Sequence, residues 1–199
     1  MNITGILLAA GHSRRFTPGN KLLYPLQDNQ PAALIAAQHL VAALPHSLAV
    51  VRPETPALAD CLSGAGLEVL ACQPDQQEMA DSLAAAVRHL VFQPRPPDAI
   101  VVALADMPFI LPHTITMIVD QLSVHTHNIV APTYHGLRGH PVAFSKRFYA
   151  ELATLTGDEG ARSVLRRHAE DIVMLECDDP GILQDFDTWE ELQRLLPDT

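Results

Sequence analysis

Positive charge is scarce in this chain. Its 199 residues carry 13 lysines and arginines against 23 aspartates and glutamates, a formal net charge of -10 at pH 7. Nucleic-acid binders neutralise phosphates with a basic surplus, so that class of partner is disfavoured from the start. Lysine is the rarest charged residue, with Lys21 and Lys146 alone. Cysteine is also sparse. Cys61, Cys72 and Cys177 are widely spaced, odd in number and without a C-x-x-C pair. They read as reduced, mostly buried thiols of a cytoplasmic protein, not as a disulfide framework or a zinc site. The H-x-H of His125 and His127 has no third ligand in view and reads as surface residues at a helix end. No apolar run approaches the roughly 20 residues that cross a bilayer. The opening "MNITGILLAAG" lacks the basic start and long apolar stretch of a secretory signal. A cytoplasmic, soluble protein without a membrane partner is expected.

What is present fits one domain over residues 1–199, long enough to bury a core. Short apolar runs recur at 4–10, 48–51, 67–71, 99–105, 128–132, 141–145 and 172–176. Several are continuously hydrophobic, as strands buried on both faces of a parallel sheet are. Helical patterns lie between them at 31–44, 78–92, 113–125, 146–155, 159–169 and 187–196, the last opening on an Asp-Thr cap. The alternation predicts an α/β fold: a doubly wound, mostly parallel sheet with helices on both faces, three layers deep. Ligands of such sheets bind beyond the carboxyl ends of the strands. The proline cluster at 93–98 reads as a tight helix-to-strand connection.

The first run leads into "ILLAAGHSRRFTPGNKLL", residues 6–23. A dinucleotide fingerprint is ruled out, because no glycine follows Gly11 until Gly19. A P-loop is ruled out too, because Leu22 and not Ser or Thr follows Lys21. What remains is a long loop with the Ser13 hydroxyl, the backbone N–H groups of residues 10–13, and Arg14, Arg15 and Lys21 as cations. One of only two lysines falls here. The loop reads as a triphosphate cradle, with a solvated basic turn as the plain alternative.

The stretch resembles the signature L-x-x-G-x-S-x-R, then lysine, of nucleotidyltransferases that activate sugars and cofactors. Leu8, Gly11, Ser13, Arg15 and Lys21 stand at its positions. In detail it is similar to the molybdenum cofactor cytidylyltransferases. Related guanylyltransferases usually have glycine where Ala10 stands, a difference the family associates with CTP rather than GTP. The resemblance implies nucleotide contacts from Leu8, Ala9, Ala10, Gly11, Ser13, Arg15 and Lys21, with Arg15 and Lys21 stabilising charge on the reacting phosphates. Residues 72–83 correspond to the family's base-reading segment, with Met79 and Ser82 as contacts and Glu78 where glycine is usual.

Two carboxylate positions follow. Asp106, in "VVALADMPFI" (101–110), should emerge at the end of a buried strand, as a Mg²⁺ ligand or as a turn aspartate before Pro108. The family's D-M-P element carries the metal, which favours the ligand role. In "ILQDFDTWEEL" (182–192), Asp185 or Asp187 is the second ligand; Asp185 is preferred, with Asp187 as a helix cap or supporting residue. The family has isoleucine and proline where Phe186 and Trp189 stand.

Toward the acceptor, "RGHPV" (138–142) resembles the region that lies near the pterin in the cytidylyltransferases, which implicates Arg138, Gly139 and His140. The "GD-x-GAR" element of Gly157, Asp158, Gly160 and Arg162 matches as well, and reads also as a capped helix start. Together these motifs imply Mg²⁺-dependent transfer of CMP from CTP to the phosphate of molybdopterin, with Mn²⁺ as the alternative ion. A xanthine dehydrogenase-type molybdoenzyme is the implied recipient, and a monomer is the expected state. The rivals are a guanylyltransferase, a sugar- or alcohol-phosphate nucleotidyltransferase, and a non-catalytic carrier of the cofactor.

Overall fold

The computed structural model describes all residues except 18, 74, 75, 77, 125–127 and 197–199; His125 and His127 therefore lie outside the described residues. In chain order the elements begin with β1 (Ile3–Ala9), α1 (Ala32–Ala43), β2 (Ser47–Val51), α2 (Pro56–Gly64) and β3 (Glu68–Ala71). Next come α3 (Met79–Val91), β4 (Ala99–Leu104), α4 (Pro112–Val124), β5 (Ile129–Tyr134), β6 (Leu137–Arg138) and β7 (Val142–Ser145). The chain continues with α5 (Tyr149–Leu152), α6 (Arg162–Arg167), β8 (Ile172–Glu176) and α7 (Trp189–Leu195).

β1 explains why the apolar runs do not alternate. Ile6 and Leu8 enter one core and Leu7 and Ala9 the other, all four buried. A strand between two helical layers has no solvent face, so each position favours an apolar side chain. β4 repeats the arrangement, with Ile100 and Val102 on one side and Val101 and Ala103 on the other. Helices α3, α5 and α6 cover the face of Ile6 and Leu8, and α1, α2 and α4 that of Leu7 and Ala9. The result is the three-layer α/β/α fold expected.

The strands run in the order β3-β2-β1-β4-β7-β5, with β6 and β8 also paired to β5. Pairs β3–β2, β2–β1, β1–β4 and β5–β8 are parallel, whereas β4–β7, β7–β5 and β5–β6 are antiparallel. Along one edge of β5 the register breaks. Between Val130 and Thr133 β5 advances three residues, while the facing chain takes five, from Ala143 back to Arg138. The surplus is a bulge around Gly139, His140 and Pro141.

Three sequence expectations change here. α2 was not anticipated; it opens with Pro56 and buries only Leu58 and Leu62, too few to mark a helical stripe. The pattern at 146–155 becomes a 3-10 turn (Lys146–Phe148) and the short α5. The pattern at 159–169 shrinks to α6, after Gly157 and Gly160 at φ of +90° and +57°, and its start has no side-chain cap because Ala161 stands at the N-cap with no oxygen to offer.

Candidate active site

The pairing of Leu8 with Leu104, continued by the Ala105 N–H donating to the Leu8 carbonyl at 3.0 Å, brings the ends of β1 and β4 together. The opening loop and Asp106 therefore emerge side by side at the carboxyl edge of the sheet. The loop closes in a 3-10 turn (Lys21–Leu23), where the Asn20 side chain accepts from the Leu22 N–H at 3.0 Å. Phe16 is buried and meets Tyr24, Phe186 and Trp189 at ring-centroid distances of 5.4, 5.9 and 6.3 Å. Tyr24 and Trp189 close the cluster at 5.1 Å. Such edge-to-face packing fixes the loop against the segment before α7. Phe186 and Trp189, two aromatic side chains of the segment before and into α7, are thus what joins the two halves of the site.

Lys21 sits at that junction, 5% exposed. Its ammonium donates to Asp106 Oδ2 at 2.6 Å, Asp187 Oδ1 at 2.6 Å and the Phe186 carbonyl at 2.9 Å. Burial opposes the charged form, but the two carboxylates outweigh it and hold the Lys21 pKa above its ordinary value. Asp187 also pairs with Arg15. Burial pushes its carboxyl up, and Lys21 and Arg15 more than reverse that, leaving its pKa below the usual range. The helix cap assigned to Asp187 from sequence is instead Thr188, whose side chain accepts from the Glu191 N–H while Glu191 reaches back to residues 187 and 188. Asp185 faces the His140 side of the site and makes no contact with Lys21 among the described hydrogen bonds.

Two cavities meet over this cluster. One, of about 310 Å³, is lined by Ala10, Gly11, His12, Lys21, Glu78 and Ser82 among others. The second, of about 570 Å³, is lined by Arg138, Gly139, His140, Arg162, Asp185 and Asp187 among others. Leu8, Arg15, Met79, Leu104, Asp106 and Asp158 line both, so the two form one cleft. Of the residues named from sequence, Ala9 and Ser13 reach neither cavity. Ala9 packs in the opposite core, and Ser13, at φ +48°, turns its hydroxyl to Asn20. Arg14 is exposed and also lines neither.

His140 is held by backbone, its N–H donating to the Ile182 carbonyl at 3.0 Å, while its Nδ1 is buried without a partner. Burial pushes its imidazole pKa down to about 4, opposed by Asp185 and aided by Arg162 and Arg138. An unfolded histidine titrates near 6.5, so between about 4 and 6.5 the unfolded chain binds a proton that the folded chain refuses. Stability is expected to rise with pH across that window and to level off below it. Urea unfolding at about pH 5 and pH 7 checks this: the wild-type difference should shrink in His140→Gln.

His12 and Asp179 escaped the sequence reading. His12 lines the first cavity and its Nε2 accepts from Arg52 at 2.7 Å; the signal was the position of Arg52 just past β2, on the ligand-binding edge. Glu78 lines the same cavity, and Asp158 belongs to both. Asp179, 2% exposed, accepts from the Leu111 N–H (2.9 Å), the Thr114 hydroxyl (2.6 Å) and the Gly181 N–H (2.9 Å). It clamps the chain after β8 to the chain after β4. Lys21 and Asp179 are the buried charged side chains among the described residues, and both hold the cleft together.

A polyphosphate-sized cleft at the carboxyl edge of a doubly wound sheet, with lysine between two aspartates, defines a nucleotidyltransferase fold. The chain belongs to the family of MobA-like NTP transferase domains, whose model matches residues 5–173. It is 30% identical over 199 residues to the purine catabolism protein PucB of Bacillus subtilis (strain 168), covering 95% of this chain and 93% of PucB. The nicotine blue oxidoreductase of Paenarthrobacter nicotinovorans is 27% identical over 216 residues, covering 98% and 96%. Rv0371c of Mycobacterium tuberculosis H37Rv, solved in complex with manganese, is 27% identical at a TM-score of 0.78, with 98% of each chain covered. Among the described residues no helix is long and apolar enough to cross a membrane.

Proposed function

We propose that this single-domain protein is a cytoplasmic cytidylyltransferase that transfers CMP from CTP to the phosphate of molybdopterin, releasing pyrophosphate. The observation that carries the reading is the Lys21–Asp106–Asp187 cluster at the meeting point of two cavities, one for each substrate. In this reading the smaller cavity holds the nucleotide, with the N–H groups of residues 10–13, Arg15 and Lys21 around its phosphates. The larger holds the acceptor, with Arg138 and Arg162 neutralising the incoming phosphate and Gly139 and His140 shaping the wall. An acceptor phosphate is already ionised at neutral pH, so no general base is required. Positioning and charge neutralisation supply the rate.

The donor set fits a hard divalent ion. Among the described residues no group of three or more His, Cys, Asp and Glu gathers to hold a metal. Two carboxylates completed by water and substrate phosphate are what Mg²⁺ or Mn²⁺ takes. Asp106 and Asp187 are the proposed ligands, with Asp185 on the acceptor side; the manganese complex of Rv0371c supports a divalent ion. When bound, the ion polarises the α-phosphate and offsets charge on the departing pyrophosphate. The name of PucB, a purine catabolism protein, supports a recipient of the xanthine dehydrogenase type, a class that oxidises purines.

CTP is favoured by Ala10, 8% exposed in the wall of the smaller cavity, where its methyl takes space that glycine would leave to a larger base. Ala10→Gly is expected to shift the ratio of kcat/KM values toward GTP by about tenfold, the scale of one methyl group in a pocket. The full reading is tested by incubating the protein with molybdopterin and either CTP or GTP, measuring pyrophosphate and identifying the dinucleotide. Nucleotide binding without pyrophosphate release supports the carrier rival instead. A redox role, favoured by the name of the nicotine blue relative, predicts substrate oxidation or reduction without pyrophosphate release.

A further inference from the structure

Lys21 is more confined than a phosphate-binding lysine needs to be. An ammonium has three N–H donors, and all three acceptors are supplied by the protein itself: Asp106, Asp187 and the Phe186 carbonyl. Its side chain is 6% exposed, and the neighbouring Arg15 takes the second oxygen of Asp187. The charge therefore lies where a divalent ion held by the same two carboxylates has to go. Each oxygen is 2.6 Å from Nζ. An ion at about 2.1 Å from both falls within roughly 4 Å of that nitrogen, so ammonium and ion repel strongly in a shielded site.

We propose that Lys21 is a placeholder cation, keeping Asp106 and Asp187 together until a polyphosphate draws its ammonium away and admits the divalent ion. This rests on the reading of those two aspartates as the ion's ligands. The exchange suits the local construction. Lys21 lines the smaller cavity, so a triphosphate seated there offers new acceptors without requiring the backbone to move. Charge on the carboxylates is compensated before and after the exchange, so the pair need not spring apart in the free protein. Ion and polyphosphate then bind cooperatively, each tightening the other by the same factor.

The test is Mn²⁺ binding to the full chain without nucleotide, followed by the electron paramagnetic resonance of the free ion. Wild type should bind weakly, and Lys21→Met should bind about tenfold or more tightly, since a competing charge is gone while the stem remains. The gain should disappear when Asp106→Asn is added. Equal affinity in wild type and Lys21→Met overturns the proposal, as does a gain that survives loss of Asp106. If Lys21→Met does not fold, wild type answers the question alone. With two lysines in the chain, the ammonium ¹⁵N–¹H spectrum carries at most two side-chain signals, and the buried one is Lys21. Inorganic tripolyphosphate without metal should shift it, and Mg²⁺ alone should leave it in place. A shift by Mg²⁺ alone comparable to that by tripolyphosphate, or indifference to saturating tripolyphosphate, overturns the proposal. None of these readouts uses CTP, GTP or molybdopterin, so failure of the exchange and failure of the proposed transfer reaction are separately visible.

Discussion

Asp106→Ala is expected to lower kcat for pyrophosphate release by about 10³-fold or more, the scale of removing an electrostatic partner of the transferring phosphoryl group. The side chain sits just past β4 with 21% of its surface exposed, so its loss opens no core cavity. Lys21 retains Asp187 and the Phe186 carbonyl, so the loop stays anchored. Thermal unfolding should therefore move little while turnover collapses. Asp187→Ala is expected to act in the same direction, and Asp185→Ala far less, since Asp185 faces His140 and not Lys21. Near-normal turnover in a folded Asp106→Ala variant would sink the assignment of this site.

Asp179→Ala is expected to have the converse profile, with a stability loss of about 3 kcal/mol. The buried carboxylate answers three donors, two of them backbone, and alanine leaves all three without a partner in a dry place. With an ordinary urea dependence for a chain of this size, the midpoint should fall by about 1 to 2 M. The neighbourhood offers no room to adapt. A Cβ on Gly181 would stand 2.1 Å from the Phe109 carbonyl oxygen, and one on Gly139 would stand 2.3 Å from that of Ile182. Below the new midpoint the variant should keep much of its turnover, because Asp179 lines neither cavity. An unchanged midpoint would mean that water replaces the carboxylate at no cost.

Much of this architecture was legible in the residues. A strand buried on both faces has to be continuously apolar, so β1 and β4 announced themselves, and with them the loop and Asp106 at their ends. Helices α1, α3 and α4 were equally plain, because each buries a broad face. α2 was not, since two leucines in a nine-residue helix make no periodic signal. Asp187 was left between a metal ligand, a supporting residue and a cap, the last because an Asp-Thr pair before a helix can cap with either residue. The choice was made by Lys21 and Arg15, more than 160 positions away in sequence. Asp179 was invisible for the same reason: two of its donors, Leu111 and Thr114, lie 68 and 65 residues distant. The pairing of His12 with Arg52 joins two different strand ends, and only the position of Arg52 just past β2 hinted at it.

The bulge between β6 and β7 divides the sheet mechanically. On one side, β3, β2, β1 and β4 run parallel, and a one-residue slip in any of them would turn its side chains into the wrong core. On the other, the chain facing β5 takes two surplus residues. The ladder from Val142 to Ser145 is registered independently of the pairing at Leu137 and Arg138, while the bulge itself is pinned by the Gly139 and His140 N–H groups to the Pro132 and Ile182 carbonyls. Arg138 and His140 thus ride on a fixed bracket whose side chains can change without shifting β7 against β4. A lineage could reshape the larger cavity by editing those side chains, with Ala10, Gly11 and Lys21 of the smaller one left untouched.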